Sequence, residues 1–254
     1  MTYSGKLSGK VGIVTGGGGG FGAGIAKKFI SEGARVVVVD IDQSAVDEVA
    51  EGRESEVLGV RADVTSEDDW KRVLASTIER FNRLDVVVNN AGVVNKMCRS
   101  IDTAEDDYDR IMRVNVKSLY LSSKVIVPYF LNSNSPGLFI NVSSISAARP
   151  RPGVIWYGAS KAAVTTASRG LALEWAPHGI RFNVIQPVIG DTAMAISLNA
   201  GPNTPDGRKK ALETIPLGRL STAEDIGNTA AWLASDESTM LTGAVIDVDG
   251  GRGV

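Results

Sequence analysis

The sequence predicts an α/β fold: a doubly wound parallel sheet of about seven strands with helices on both faces. Three observations predict it. Short runs rich in Val, Ile and Leu alternate along the chain with longer amphipathic runs. The short runs are apolar throughout, as strands buried on both faces read, instead of alternating polar with apolar. The first of them, "VGIVT", runs straight into five glycines and then into "FGAGIAKKFI", where apolar residues recur at helical spacing.

The elements follow in order. Val11–Thr15 is the first strand, closed by the glycines. Phe21, Ile25, Ala26, Phe29 and Ile30, mixed with Lys27, Lys28 and Glu32, predict a helix over 21–32. "RVVVVD" predicts a strand over Arg35–Asp40, followed by a helix over 42–51. Strands over 56–61 and 84–89 flank a helix over 66–82. A long apolar helix is expected over 104–131, then a strand over Gly137–Val142, a helix over 157–177 and a strand over 180–186. A helix over 222–235 and a strand over 244–247 complete the pattern. Right-handed crossovers then set the ligand crevice at the carboxyl ends of the strands. No domain boundary is visible, so residues 1–254 are expected to form one domain. The polar, Gly- and Pro-interrupted stretch over 191–213 is its candidate lid.

Bulk composition narrows the partners. The chain is 43% hydrophobic and 22% charged with a net charge of −2. No broad basic field exists for nucleic acid or an anionic membrane. Cys98 is the only cysteine, which suits a reducing compartment. No segment reads as a signal peptide or a membrane span. A cytoplasmic protein acting on small molecules is the expectation.

Five glycines alone would read as a flexible linker, but a strand before and a helix after turn them into a phosphate cradle. Thr15, Gly16, Gly20 and Gly22 follow a TGxxxGxG spacing. Glycine permits positive φ in a tight turn and lets backbone amides approach a pyrophosphate. The helix starting near Phe21 directs its positive end at that anion. Gly17, Gly18 and Gly19 read as permissive. Asp40 ends the second strand, where a carboxylate accepts bonds from the adenosine ribose hydroxyls and repels a 2′-phosphate. No Arg or Lys stands at Gly19 or Ile41, so NAD is the expected cofactor. Asp40 could instead cap the following helix, a part open to Asp42 as well. Asp63 and Asn89 also fall at strand ends on the same edge of the sheet.

Tyr157 and Lys161 in "YGASK" are four residues apart and share a helix face. An ammonium beside a phenol favours the phenolate, so Lys161 is expected to lower the Tyr157 pKa and make it a general acid/base for an alcohol or ketone oxygen. Ser144 ends a strand in "INVSSISA", and Asn115 sits within the apolar helix in "MRVNVKS", where a buried amide needs a partner.

TGxxxGxG, Asp63, "NNAG" at 89–92, Asn115, Ser144 and YxxxK, in this order, resemble the signature of the short-chain dehydrogenase/reductase family, an NAD-preferring alcohol or ketone dehydrogenase among them. The resemblance extends over the whole chain, including "IRFNVIQP" and "LTGAVIDVDGG". It implies a Rossmann-type fold with Tyr157 as acid/base, Lys161 lowering its pKa and bonding the nicotinamide ribose, Ser144 polarising the substrate oxygen, and Asn115 holding a relay water. It places Gly16, Gly20, Phe21, Gly22, Asp40, Asp63, Val64, Asn90, Ala91, Gly92, Tyr157, Lys161, Pro187, Ile189 and Thr192 against the cofactor. It places Val94, Ser146, Trp156, Val188 and Met194 near the substrate, with Val93 and Ala147 beside them. The interval to Tyr157 favours Ser144 over Ser143. It also implies a homotetramer packed through the helices over 104–131 and 157–177.

One position departs from the family. Val188 in "QPVIGDTAM" replaces the usual glycine after the sixth strand; either the loop differs locally or Val188 borders a narrower, more apolar pocket. Arg149 and Arg151 in "RPRPG" read as solvated loop charges or as binders of an anionic substrate group. His178 has no companions for a metal and reads as a helix-end residue; Cys98 has no His or Cys partner for a nucleophilic role. Trp70, Trp175 and Trp232 are expected to pack on helices. The rival readings are an NADPH-linked 3-oxoacyl-(acyl-carrier-protein) reductase, against which Asp40 argues, and a non-catalytic dinucleotide-sensing protein, against which the four site residues together argue.

Overall fold

The computed structural model describes residues 5–190 and 205–254. Its strands are β1 (Val11–Thr15), β2 (Arg35–Asp40), β3 (Val57–Arg61), β4 (Val86–Asn89), β5 (Gly137–Val142), β6 (Ile180–Pro187) and β7 (Val245–Val248). They form one parallel sheet in the order β3-β2-β1-β4-β5-β6-β7. The order reverses at β1, which pairs with β2 on one side and β4 on the other, setting Val14 level with both Val38 and Val88. The crevice outside this switch point is where such sheets bind ligands.

The continuous apolar strands are explained by what covers them. In β2, Val36 and Val38 face a core with Ile25 and Phe29 of α1 (Gly20–Ser31) and Val46 of α2 (Gln43–Ala50). Val37 and Val39 face the opposite core, with Trp70 and Val73 of α3 (Glu67–Phe81). The same alternation splits Val86 and Val88 from Val87 in β4. Both faces are covered, so the interior positions of these strands are apolar on either side and polar residues stand only at their ends.

Caps set several boundaries. Asp42 accepts from Ser44 N at 3.0 Å and starts α2, while Ser66 caps α3 and Asn82, at φ 58°, ends it in the left-handed region. The expected helix over 104–131 is interrupted. It is α4 (Glu105–Met112), a π-helical turn (Arg113–Lys117) and α5 (Ser118–Asn132). The interruption centres on Asn115, whose amide bonds lie outside its own helix. The next helix, α6 (Ile155–Trp175), begins slightly earlier than expected and ends in a short 3₁₀ turn holding His178 against Trp175. Most of the candidate lid, with Thr192 and Met194, lies outside the described residues; its last part is α7 (Pro205–Glu213). A Thr222–Asp225 capping box then opens α8 (Ala223–Ala234), which packs on the α1 face of the sheet.

Candidate active site

The turn from β1 into α1 is built by close approaches. A Cβ on Gly22 would lie 2.0 Å from Gly16 O, so no larger residue fits there, and Gly16 itself has φ +61°. Gly17 and Gly18 are tighter than expected, since a Cβ would meet Val14 O at 2.9 Å and Ala45 Cβ at 2.7 Å; only Gly19 is open. The turn is braced from β4. Asn90 Nδ2 donates to Thr15 O at 2.9 Å and Gly16 O at 3.2 Å, and Thr15 Oγ1 accepts from the Asn90 and Ala91 amides at 3.1 Å.

Unlike α2, α3 and α8, helix α1 has no side-chain cap at its N-cap Gly19, and its first turn holds no acidic residue. Its leading N–H groups are left for an anion. Asp40 stands beside them: its Oδ2 accepts from Gly18 N at 3.1 Å and its Oδ1 from Asp42 N at 3.2 Å. The N-cap of α2 is Asp42, so Asp40 is not engaged as that cap. Asp63 Oδ1 accepts from Thr65 N, and Trp70 Nε1 donates to Val64 O at 3.0 Å, fixing the chain after β3.

Past β5 and β6 lies an open cleft of about 740 Å³ that Asn90, Val94, Ser144, Ser146, Tyr157 and Lys161 line together with Phe21, Pro187, Val188 and Ile189. Ser144 lies two residues past β5, and its Oγ accepts from Ser146 N at 3.1 Å. Ser143 turns the other way, its hydroxyl donating to Lys161 O at 2.8 Å, as strand alternation requires. Tyr157 lines the cleft with Ser144, whose hydroxyl pulls the phenol pKa down. Asn115 bridges three elements: its Oδ1 accepts from Val93 N at 2.8 Å, and its Nδ2 donates to Val93 O and Ser160 Oγ at 2.9 Å. The π turn aims that amide at the chain after β4 and at α6. Gly92 leaves the space between: a Cβ there would stand 3.2 Å from both Asn115 Oδ1 and Lys161 Nζ.

The electrostatics differ from expectation. Lys161 Nζ donates to Val142 O at 2.8 Å and lies 5.9 Å from the Tyr157 ring centre. Burial pushes its pKa down from 10.5 to about 8. Burial also pushes the Tyr157 phenol up from its ordinary value, against a downward pull from Ser144 first and the charge of Arg151 second. Lys161 is not among the groups lowering it.

Trp156 does not line the cleft. Its Nε1 donates to Ser100 O at 3.3 Å and its ring meets Tyr108 edge-on at 5.4 Å. The reason is helical geometry: consecutive residues point about 100° apart, so Tyr157 facing inward turns Trp156 outward. Val188 has no positive φ, and its amide donates to Val248 O at 3.2 Å, extending the β6–β7 pairing. The loop therefore does not need a glycine there, and the buried Val188 side chain narrows the cleft. Among the described residues no cluster of His, Cys, Asp or Glu could hold a metal, and no helix is long and apolar enough to cross a membrane.

Residues 16–252 match the family model described as "Enoyl-(Acyl carrier protein) reductase". The 4-formylbenzenesulfonate dehydrogenase of Comamonas testosteroni is 39% identical over 252 residues, covering 98% of this chain and 100% of that protein. The chain belongs to the short-chain dehydrogenase/reductase family. It is an oxidoreductase of CH–OH groups with a nicotinamide dinucleotide as cofactor. Another such dehydrogenase/reductase, the 3-oxoacyl-[acyl-carrier-protein] reductase of Thermotoga maritima, is 35% identical over 249 residues, with 97% and 98% of the two chains covered. The crystal structure of 3-ketoacyl-(acyl-carrier-protein) reductase from Brucella melitensis complexed with NADH matches at a TM-score of 0.92 and 37% identity, covering 98% of this chain and 100% of that one.

Three parts of this dehydrogenase/reductase cleft were not found by sequence reasoning. Gly190 packs against the Phe21 ring, where a Cβ would come within 2.4 Å. Ser160 links Asn115 to the Tyr157 carbonyl, which accepts from Ser160 Oγ at 2.7 Å. Arg252 reaches the cleft from beyond β7. "YGASK" holds a signal for Ser160, a small hydroxyl next to Lys161 on a buried helix face; nothing in "GGRGV" signals Arg252.

Proposed function

We propose that this protein interconverts a secondary alcohol and its ketone, with NAD(H) preferred to NADP(H). The observation that carries this reading is that Tyr157, Ser144 and Lys161 line one cleft, at the carboxyl edge of the sheet beside the uncapped start of α1. When bound, a nicotinamide dinucleotide supplies the hydride acceptor or donor. The protein's groups handle everything else. In oxidation Tyr157 takes the proton from the alcohol oxygen as hydride leaves the carbon; in reduction it returns that proton to the ketone oxygen. Ser144 donates to the reacting oxygen and holds it against Tyr157. The Lys161 ammonium, bonded to Val142 O, is proposed to bond the nicotinamide ribose. Asn115 fixes the chain after β4 and is proposed to hold a water of the proton relay. The uncapped amides of α1 take the pyrophosphate.

Asp40 supports the NAD preference, since its carboxylate borders the glycine turn without serving as the cap of α2. The names of two similar proteins favour a second reading, a 3-oxoacyl reductase. One titration tests the cofactor preference. NADH and NADPH binding is followed by nicotinamide fluorescence for wild type and Asp40→Ala. NADH is expected to bind at least about tenfold more tightly than NADPH, and the gap is expected to close in the variant. Tighter NADPH binding by wild type would overturn the preference and favour the reductase. The whole chain is proposed to act as one dinucleotide-binding and catalytic unit. Exposed Tyr120 on α5 and Leu173 on α6 support self-association into a homotetramer through those helices.

A further inference from the structure

Two guanidinium groups at the cleft have no binding role in the chemistry above. Arg151, just before α6, and Arg252, beyond β7, both line the cleft with Tyr157 and Ser144. Both are half-buried. Neither side chain has a hydrogen-bond or ion-pair partner among the described residues, although each has lost part of its hydration to burial.

Arg149 is built differently. It is exposed, and its Nη1 donates to Arg252 O and, at 3.0 Å, to Val254 O. It clasps residues 252–254 to the loop before α6 and so carries Arg252 to the cleft. Of the two loop arginines, Arg149 holds backbone and Arg151 faces the cleft.

The result is a cluster of like charge. Arg151 and Arg149 both act on Arg252 as unfavourable neighbours, and Asp249 is the carboxylate that opposes them. Asp249 is already engaged, its two oxygens accepting from Gly251 N and Gly253 N. Partly desolvated cations that share one opposing carboxylate cost stability. An arriving carboxylate or sulfonate would relieve that cost, and the planar guanidinium fork matches those groups bidentately. The same cleft also has an apolar lining from Val94, Ile145, Val188 and Ile189.

We propose that the substrate has an apolar body and a carboxylate or sulfonate remote from its reacting carbon, and that Arg151 and Arg252 bind this anion as a pair. This deepens the alcohol/ketone reading and rests on it. The test uses two ketones of the same shape, 4-acetylbenzoate and its neutral amide 4-acetylbenzamide. NADH-linked reduction is measured for wild type, Arg151→Gln, Arg252→Gln and Arg151→Lys. Calorimetric titration of 4-acetylbenzoate into each protein gives binding independently of turnover. Wild type is expected to prefer the carboxylate. Each Gln variant is expected to lower kcat/KM for it roughly 10- to 100-fold, chiefly through KM, and to weaken its binding in parallel. In Arg252→Gln the amide should change by less than about threefold; in Arg151→Gln, which also takes a positive charge away from Tyr157, the amide should lose clearly less than the carboxylate. Arg151→Lys, which keeps the charge and loses the fork, should recover part of the loss. Equal losses on both ketones, or no measurable binding of 4-acetylbenzoate to wild type, would overturn the proposal. Reduction of the amide without preference for the carboxylate would overturn it while leaving the oxidoreductase reading intact. Arginine-dependent binding with no turnover of either ketone, by NADH or NADPH, would uphold the anion site and remove the alcohol/ketone reading.

Discussion

Replacing Lys161 with methionine is expected to stabilise the fold at neutral pH while removing activity. Lys161 is 4% exposed, and burial pulls its pKa from 10.5 to about 8. That difference of roughly 2.5 units, at about 1.4 kcal/mol per unit, corresponds to about 3 kcal/mol of destabilisation. Its sign follows from proton counting. Between about pH 8 and 10.5 the unfolded chain keeps the lysine proton while the folded chain sheds it, so stability rises with pH through that window. Below the folded value the destabilisation is present in full. Methionine fills a similar volume without charge, and it forfeits the Nζ bond to Val142 O, a loss of about 1 kcal/mol. The net expectation is a variant about 2 kcal/mol more stable than wild type at pH 7.

The assay is urea unfolding of both proteins at several values from about pH 7 to pH 10. The Tyr157 phenol is pushed upward by burial, so it titrates above this range. Groups common to both proteins cancel in the difference. The gap between the two curves should shrink as pH rises through about 8 and then reverse, wild type gaining relative to the variant. Parallel curves, or a variant less stable at pH 7, would refute the reasoning, because Lys161 would then be well solvated or paired in the folded state. A more stable, inactive variant would place Lys161 among residues kept for chemistry against stability.

Two further outcomes can be checked alongside. Gly22→Ala should destabilise the protein by about 1–3 kcal/mol and abolish dinucleotide binding, because its Cβ would lie 2.0 Å from Gly16 O; Gly19→Ala, in open space with extended backbone, should leave the melting temperature unchanged or slightly higher. Ser144→Ala should lower kcat by about 10²-fold or more with little change in stability. Ser143→Ala should do the reverse, losing about 1 kcal/mol with its bond to Lys161 O and little activity; thermal melts and steady-state rates on both variants tell these apart.

The sequence by itself determined the parts of this protein whose information is local. Strands buried on both faces must be apolar at every position, so "VGIVT", "RVVVVD" and "VVVN" were legible as runs, and their ends fell within a few residues of β1, β2 and β4. The glycine turn was legible because strand and helix periodicities flank it, and Asp40 because it closes a strand. The tertiary structure decided whatever depends on a partner far along the chain. The apolar periodicity over 104–131 is unbroken in sequence, yet the helix widens at Arg113–Lys117 so that Asn115 can reach Val93 and Ser160. Helical spacing places Lys161 on the face of Tyr157, but only the fold shows its ammonium bound to Val142 O, with Ser144 and Arg151 acting on the phenol instead. The arginines divide in the same way: the short motif "RPRPG" cannot say that Arg149 clasps residues 252–254 while Arg151 faces the cleft beside Arg252. Periodicity records which side of an element is apolar. Which distant residue meets that side is settled only when the whole chain packs.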